Sequence, residues 1–199
     1  AGIGHPKNDW RMWKLGNSPT AKANSRHVFL MEDALKGYFV TPPDRSLSIY
    51  KFDFDRDPQR MDAHAWIFNT DSDVKLAGFQ ARGGKLMFIH GMADPIFSAD
   101  EMVDYYQRLT AQNGPKTNEF ARLFLVPGMG HCAGGAATDS IDGLGSLVDW
   151  VEKGQAPQSV PASGTVVYPG RTRPLCAYPQ YAHYKGTGNP EDASNFSCR

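Results

Sequence analysis

The chain has 199 residues, enough for one ordinary domain or for one domain with an attached fragment. Its 21 basic and 21 acidic residues cancel, so the charge balance gives no case for nucleic acid or an anionic membrane as a partner. No apolar run approaches the roughly 18 residues that cross a bilayer, and AGIGHPKNDW at the start has neither the basic nor the apolar region of a signal peptide.

Residues 1–75 are rich in aromatic side chains that follow no single period. Val28, Met31, Leu35 and Tyr38 recur at three and four residues, which predicts a helix that Thr41-Pro42-Pro43 must end. Tyr50, Phe52 and Phe54 alternate with Lys51, Asp53 and Asp55, which predicts a short, half-buried strand. A second helix is expected over Pro58–Asn69. So few strands cannot make a layered α/β core, and residues 1–75 read as part of a cap or lid whose remainder lies elsewhere.

From Asp73 the punctuation becomes regular. A short amphipathic piece, Val74–Ala81, leads through Gly83-Gly84 into a buried strand over Lys85–Ile89, and a tight turn at His90-Gly91 presents Asp94. Ser98-Ala-Asp-Glu101 has the form of a capping box. The helix it starts carries Met102, Val103, Tyr106 and Leu109 on one face, until Gly114-Pro115 stops it. A second apolar strand, Leu123–Val126, runs into the glycine-rich turn Pro127–Gly130, which presents His131. A helix over Ser140–Lys153 is expected to bury Ile141, Leu144, Leu147, Val148 and Val151, with Gly154 at its end. Strand, helix, strand, helix is the pattern of a parallel sheet covered by helices. Residues 155–199 are polar and rich in Pro and Gly, and read as a tail draped over the surface.

Cys176 and Cys198 lie in that tail, where a free thiol has no packing role. A disulfide between them is the better reading, and it implies an oxidising compartment. Cys132 is then left over, which suggests a bond to another chain or to a further segment.

Asp94 and His131 each stand just past the C-terminal end of a buried strand, where open α/β sheets place their chemistry. A carboxylate can orient an imidazole and stabilise its charged form while the ring takes a serine proton. In an α/β-hydrolase the acid and then the histidine follow late strands in this order. By pattern alone, an aspartate capping the turn before Pro95 and an ordinary loop histidine explain the pair equally well. His90 is expected to make a structural hydrogen bond rather than act as a base. Trp10-Arg11-Met12-Trp13 offers aromatic faces and a guanidinium to an aromatic acyl group, although a lid-core cluster with Arg11 at the surface is the simpler reading. Asp53–Asp57 fails as a calcium loop, because Pro58 stands where glycine is needed and His64 where glutamate is needed. His5, His27, His64 and His183 lack metal-ligand spacing. Asn195-Phe-Ser197 is a glycosylation sequon only in a host with a eukaryotic secretory pathway.

Three blocks, IHGMADPIFSADEMVDYYQRL, FARLFLVPGMGHCAGG and RTRPLCAYPQYAHYKG, resemble in order the C-terminal part of the tannase/feruloyl esterase family, most strongly from Leu76 to Cys198. The resemblance implies an α/β chain: the C-terminal part of an α/β-hydrolase fold with the end of an inserted lid domain. Residues 1–75 would finish the lid, and residues 76–199 would end the catalytic domain with a disulfide-stapled tail. It implies Asp94 and His131 as the catalytic acid and histidine, Cys132 as the partner of a cysteine just before the nucleophilic serine, and Cys176–Cys198 as the C-terminal disulfide. Substrate-binding lid residues would be Trp10, Arg11 and Trp13. No cofactor is implied for the chemistry, and a structural calcium ion only in a part of the lid outside this chain.

No Gly-x-Ser-x-Gly or Cys-Ser-x-Gly-Gly nucleophile elbow occurs in the sequence. Ser18 is a poor substitute, because Thr20 replaces the closing glycine and no buried strand leads into it. The chain is therefore expected to supply Asp94 and His131 to a secreted or periplasmic carboxylic ester hydrolase acting on esters of phenolic or terephthalic acids. It would be inactive alone, with the serine on an N-terminal segment or subunit joined through Cys132. The alternative is a non-catalytic remnant that binds phenolics or carbohydrate. The presence of both Asp94 and His131 in glycine-containing turns speaks against it, since a binder needs neither.

Overall fold

A computed structural model of the chain describes residues 10–17, 19, 24–69 and 74–199; His5 and Ser18 lie outside them. The described chain divides into two compact units, one of residues 11–69 and the other of residues 74–199 together with Trp10.

The first unit is helical. It begins at Arg11, within α1 (Trp10–Lys14). Ser25 caps α2 (Arg26–Ala34) by accepting a hydrogen bond from the Val28 amide at 3.3 Å. The helix then widens into a π-helical turn, Leu35–Phe39. A 3-10 turn at Asp57–Met61 leads into α3 (Asp62–Phe68). The rings of Tyr38, Phe39 and Phe68 meet at centroid separations of 4.9 to 5.5 Å. Arg60 braces the loops by pairing with Asp44 at 2.9 Å and Asp57 at 3.4 Å.

The strand expected over Tyr50–Phe54 does not form; Ile49–Lys51 is a 3-10 turn. Its carboxylates bond locally instead: the Asp53 amide donates to Asp57 at 2.8 Å and the Asp55 amide to Asp53 at 2.9 Å. Aspartates that capture nearby amides favour turns over ladders. No strand among the described residues of this unit offers an edge to pair with. Tyr50 and Phe54 are left exposed.

The second unit opens with α4 (Ala77–Ala81) and β1 (Leu86–Gly91). α5 (Ala99–Asn113) starts at Ser98, whose hydroxyl accepts from the Asp100 amide, and ends at Gly114 with φ 59°. After α6 (Thr117–Phe120), β2 (Ala121–Val126) pairs parallel with β1, in register from Leu86↔Ala121 to Gly91↔Val126. Parallel neighbours need a crossover, and α5 supplies it. Alternate side chains point to opposite faces. Leu86, Phe88 and Leu123 pack with Tyr106 and Leu109 of α5, while Met87, Ile89, Phe124 and Val126 join a second cluster.

Next come β3 (Ser140–Ile141), α7 (Gly143–Lys153), β4 (Ser159–Ser163), β5 (Thr172–Cys176), β6 (Ala182–Tyr184) and β7 (Phe196–Cys198). The tail is therefore not merely draped over the surface. β3, β4 and β5 form an antiparallel sheet, and Val160, Ala162 and Leu175 are buried in the second cluster. Pro161 faces Pro174 across that sheet. The flanking amide bonds, Ala177 to Gln158 and Gly164 to Arg171, place the proline pair where neither residue owes its partner an N–H. Beyond β5 the chain adds to the free edge of β2, with the Tyr178 amide donating to Leu123 at 2.8 Å. The expected disulfide joins Cys176 to Cys198.

α7 also departs from expectation. Its buried anchor is Trp150, whose ring centroid is 5.6 Å from the Lys85 ammonium and 5.4 Å from the Arg122 guanidinium. Leu144, Val148 and Val151 are 74%, 40% and 60% exposed and form an apolar stripe that no described element covers. β1 likewise has β2 as its sole partner among the described residues.

Candidate active site

β1 and β2 run side by side, so both end at the same rim and deliver their following turns to one place. The acid turn closes with the Asp94 amide donating to Gly91 at 3.1 Å. Two further bonds tie it to the base turn: Met92 N–H to Val126 O and Ala93 N–H to Met129 O, each 3.0 Å. The base turn folds on itself through Gly130 N–H to Gly134 O at 3.0 Å. Gly128 has φ 75° and no room for a Cβ beneath the Ala136 carbonyl. Gly91 is needed for a different reason, since a Cβ there would stand 2.5 Å from the Gly130 carbonyl oxygen and nearer still to that of Met129.

In this setting His131 Nδ1 donates to Asp94 Oδ2 at 3.0 Å. The other carboxylate oxygen accepts from the Ile96 and Phe97 amides at 2.7 and 3.2 Å. The Asp94 side chain is 5% exposed and that of His131 34%. Burial of Asp94 opposes its ionisation, but the His131 bond and the two amides outweigh it and hold the carboxyl below its ordinary range. With Nδ1–H committed to Asp94, Nε2 presents a lone pair that can take a proton. The Phe97 ring lies 5.6 Å from the imidazole. His90 Nε2 sits 3.3 Å from the Phe97 carbonyl, the structural contact expected of it. A cleft of ≈ 470 Å³ opens over these groups, lined by His90, Asp94, Phe97, His131, Cys132 and Asp139 among others.

The structure thus brings Asp94, His131 and Cys132 together. Cys132 is an exposed free thiol with φ 64°, unusual for a residue with a side chain. Trp10, Arg11 and Trp13 belong to α1, where Trp10 and Arg11 are exposed. Trp13 is buried in edge contact with His27 at 5.7 Å and under the Arg26 guanidinium at 5.3 Å. Asp139 is a residue that sequence reasoning missed. It accepts from the Gly134 amide at 2.9 Å and the Thr165 hydroxyl at 2.8 Å, and so braces the base turn against a strand end 26 residues away. That separation left no local signal. Among the described residues no group of three or more His, Cys, Asp or Glu side chains is arranged to hold a metal ion.

A profile of the family described as Tannase and feruloyl esterase matches residues 2–199. The chain belongs to this family. Mono(2-hydroxyethyl) terephthalate hydrolase of Piscinibacter sakaiensis is 45% identical over 208 residues, covering 95% of this chain and 34% of that protein. Feruloyl esterase B of Aspergillus niger is 35% identical over 154 residues, covering 66% of this chain and 29% of its own length. An esterase from Aspergillus oryzae superposes with a TM-score of 0.67 at 27% identity, over 84% of this chain and 37% of that one. Feruloyl esterase B from Aspergillus oryzae shares the fold with a TM-score of 0.72 at 24% identity, over 98% of this chain and 40% of that one. The chain spans about a third of the length of these tannase and feruloyl esterase relatives. No helix among its described residues is long and apolar enough to cross a membrane.

Proposed function

We propose that this chain supplies the acid and base of a serine-type carboxylic ester hydrolase acting on esters of aromatic acids. The reading is carried by the hydrogen bond from His131 Nδ1 to a buried Asp94, at the ends of two parallel strands. The nucleophilic serine would come from a segment or subunit outside this sequence. As its oxygen attacks the ester carbonyl, its proton passes to His131 Nε2, and Asp94 stabilises the imidazolium. The carbon–oxygen bond to the alcohol then breaks, and that oxygen takes the proton from Nε2. Water attacks the acyl-enzyme with His131 again as base, releasing the aromatic acid and restoring the serine.

Relatives named for feruloyl and terephthalate esters favour an aromatic acyl group. Trp10 and Arg11, both exposed, and the buried Trp13 are the proposed aromatic-acid-binding residues of the lid. The unpaired edge of β1 and the apolar stripe of α7 are surfaces that further strands would cover. A disulfide from Cys132 would fix the serine-bearing segment beside His131. The Cys176–Cys198 bond supports an exported protein.

The test maps disulfides in the natively purified protein and assays methyl ferulate and mono(2-hydroxyethyl) terephthalate. A non-reduced peptide joining Cys132 to a cysteine next to a serine is expected, with hydrolysis abolished by His131→Ala. An unlinked Cys132 together with no hydrolysis of either ester would overturn the proposal and favour a binding remnant.

A further inference from the structure

A second cavity, of ≈ 410 Å³, lies in the same unit and shares no lining residue with the Asp94–His131 cleft. Its walls are largely apolar and aromatic, with Tyr168, Tyr178, Tyr181 and Phe196 among them, yet Arg171 and Arg173 also face into it. The two guanidiniums differ in circumstance. Arg171 is charge-paired: it makes a bidentate pair with Glu191 at 2.6 and 2.9 Å and stacks 3.7 Å over the Tyr168 ring. Arg173 is not. It lies 4.2 Å over Phe196, and one of its nitrogens donates to the Thr172 carbonyl at 2.6 Å. No carboxylate among the described residues pairs with it.

Glu191 therefore neutralises one cation of two and leaves the cavity with a single positive charge beside aromatic walls. Burial, and then the Arg171 cation nearby, hold the Arg173 guanidinium below its ordinary range, partly countered by Glu191. A half-buried cation whose nearest carboxylate is taken by a neighbouring arginine has unused N–H donors and gains from an incoming anion. A small monoanion answers that charge, whereas a phosphate dianion would exceed it. The apolar lining and the Tyr178 and Tyr181 rings favour a flat group on that anion.

We propose that this cavity is a binding site for a small aromatic carboxylate, held by Arg173 through a charge-assisted hydrogen bond and by its tyrosine and phenylalanine walls. The ligand class follows from the cavity's own chemistry and does not rest on the esterase reading.

Benzoate is the probe, titrated by calorimetry into the intact protein, with benzamide and acetate as the neutral ring and the ringless anion. Benzoate should bind at least about 10-fold more tightly than either, the factor expected for one charge-assisted hydrogen bond. Benzoate should shift the Arg173 Nε–H resonance in the nitrogen–proton spectrum, and Arg173→Met should weaken it by at least about 10-fold. Should that variant fail to fold, Tyr181→Ala, at a wall residue 63% exposed, is expected to weaken benzoate by at least about threefold. No binding to the wild type at about 10 mM benzoate overturns the proposal. So does an affinity unchanged by the folded variants, or a shift confined to His131 and its neighbours.

Discussion

Replacing Gly91 with alanine tests whether the acid and base are held together by backbone contact rather than by their own hydrogen bond alone. The new Cβ would lie 2.5 Å from the Gly130 carbonyl oxygen, whereas real Cβ atoms essentially never come within 3.0 Å, so the base turn must retreat by at least 0.5 Å. The Met129 oxygen, closer still, would lose its 3.0 Å bond from the Ala93 amide. The His131–Asp94 bond, also 3.0 Å, would stretch past hydrogen-bond range. Overpacking of this kind costs about 1–3 kcal/mol, and the lost backbone bond adds about 1 kcal/mol. Together these predict a fall in Tm of about 5–15 °C. Misplacing the base by this much should also cost about 100-fold in the rate of the serine-bearing protein. Thermal melting and the downfield Nδ1–H proton resonance of His131 are the assays. A variant melting within about 2 °C of wild type, its downfield resonance intact, would refute the reasoning.

Asp94→Asn should turn an amide N–H toward His131 Nδ1 and move the ring proton to Nε2. Nitrogen-15 imidazole shifts should report the other tautomer, and kcat in the complete enzyme should fall about 1,000- to 10,000-fold; an unchanged tautomer would contradict this. Cys176→Ser opens a loop with a separation of 22 residues and should cost about 3 kcal/mol in urea unfolding; an unmoved midpoint would mean that the tail holds itself. Asp44 is held down from 3.8 to about 2, first by the Ser46 hydroxyl and then by Arg60. Its contribution is fully present above 3.8 and is lost as pH falls through about 2. Asp44→Asn should flatten the pH dependence of the helical unit's melting across that window, and an unaltered profile would discount the pair.

The readable parts of the sequence were those whose signals are local. β1, α5 and β2 announced themselves through short apolar runs, a serine cap and Gly114, and each formed within a few residues of its expected limits. Asp94 and His131 were readable because both follow such strands. Tyr50–Phe54 misled, because alternation describes a side-chain pattern and says nothing of whether a pairing edge exists. β4 and β5 were hidden by Pro161 and Pro174, which signal loops until they are seen facing one another at positions that need no donor. The Leu144, Val148 and Val151 periodicity correctly indicated a helix with an apolar face. Whether that face is buried does not follow from the period, and Leu144, Val148 and Val151 are exposed.

That face also bears on how the polypeptide behaves in the test tube. A strand edge unpaired among the described residues, with three exposed aliphatic side chains on α7, is a template for unwanted self-association. Produced by itself, the chain should be driven into inclusion bodies by edge-to-edge growth from β1. Lysine at Val148 and Val151 should keep it dispersed without disturbing the Trp150 side of the helix. Co-production with the proposed serine-bearing segment should achieve the same with no substitution at all.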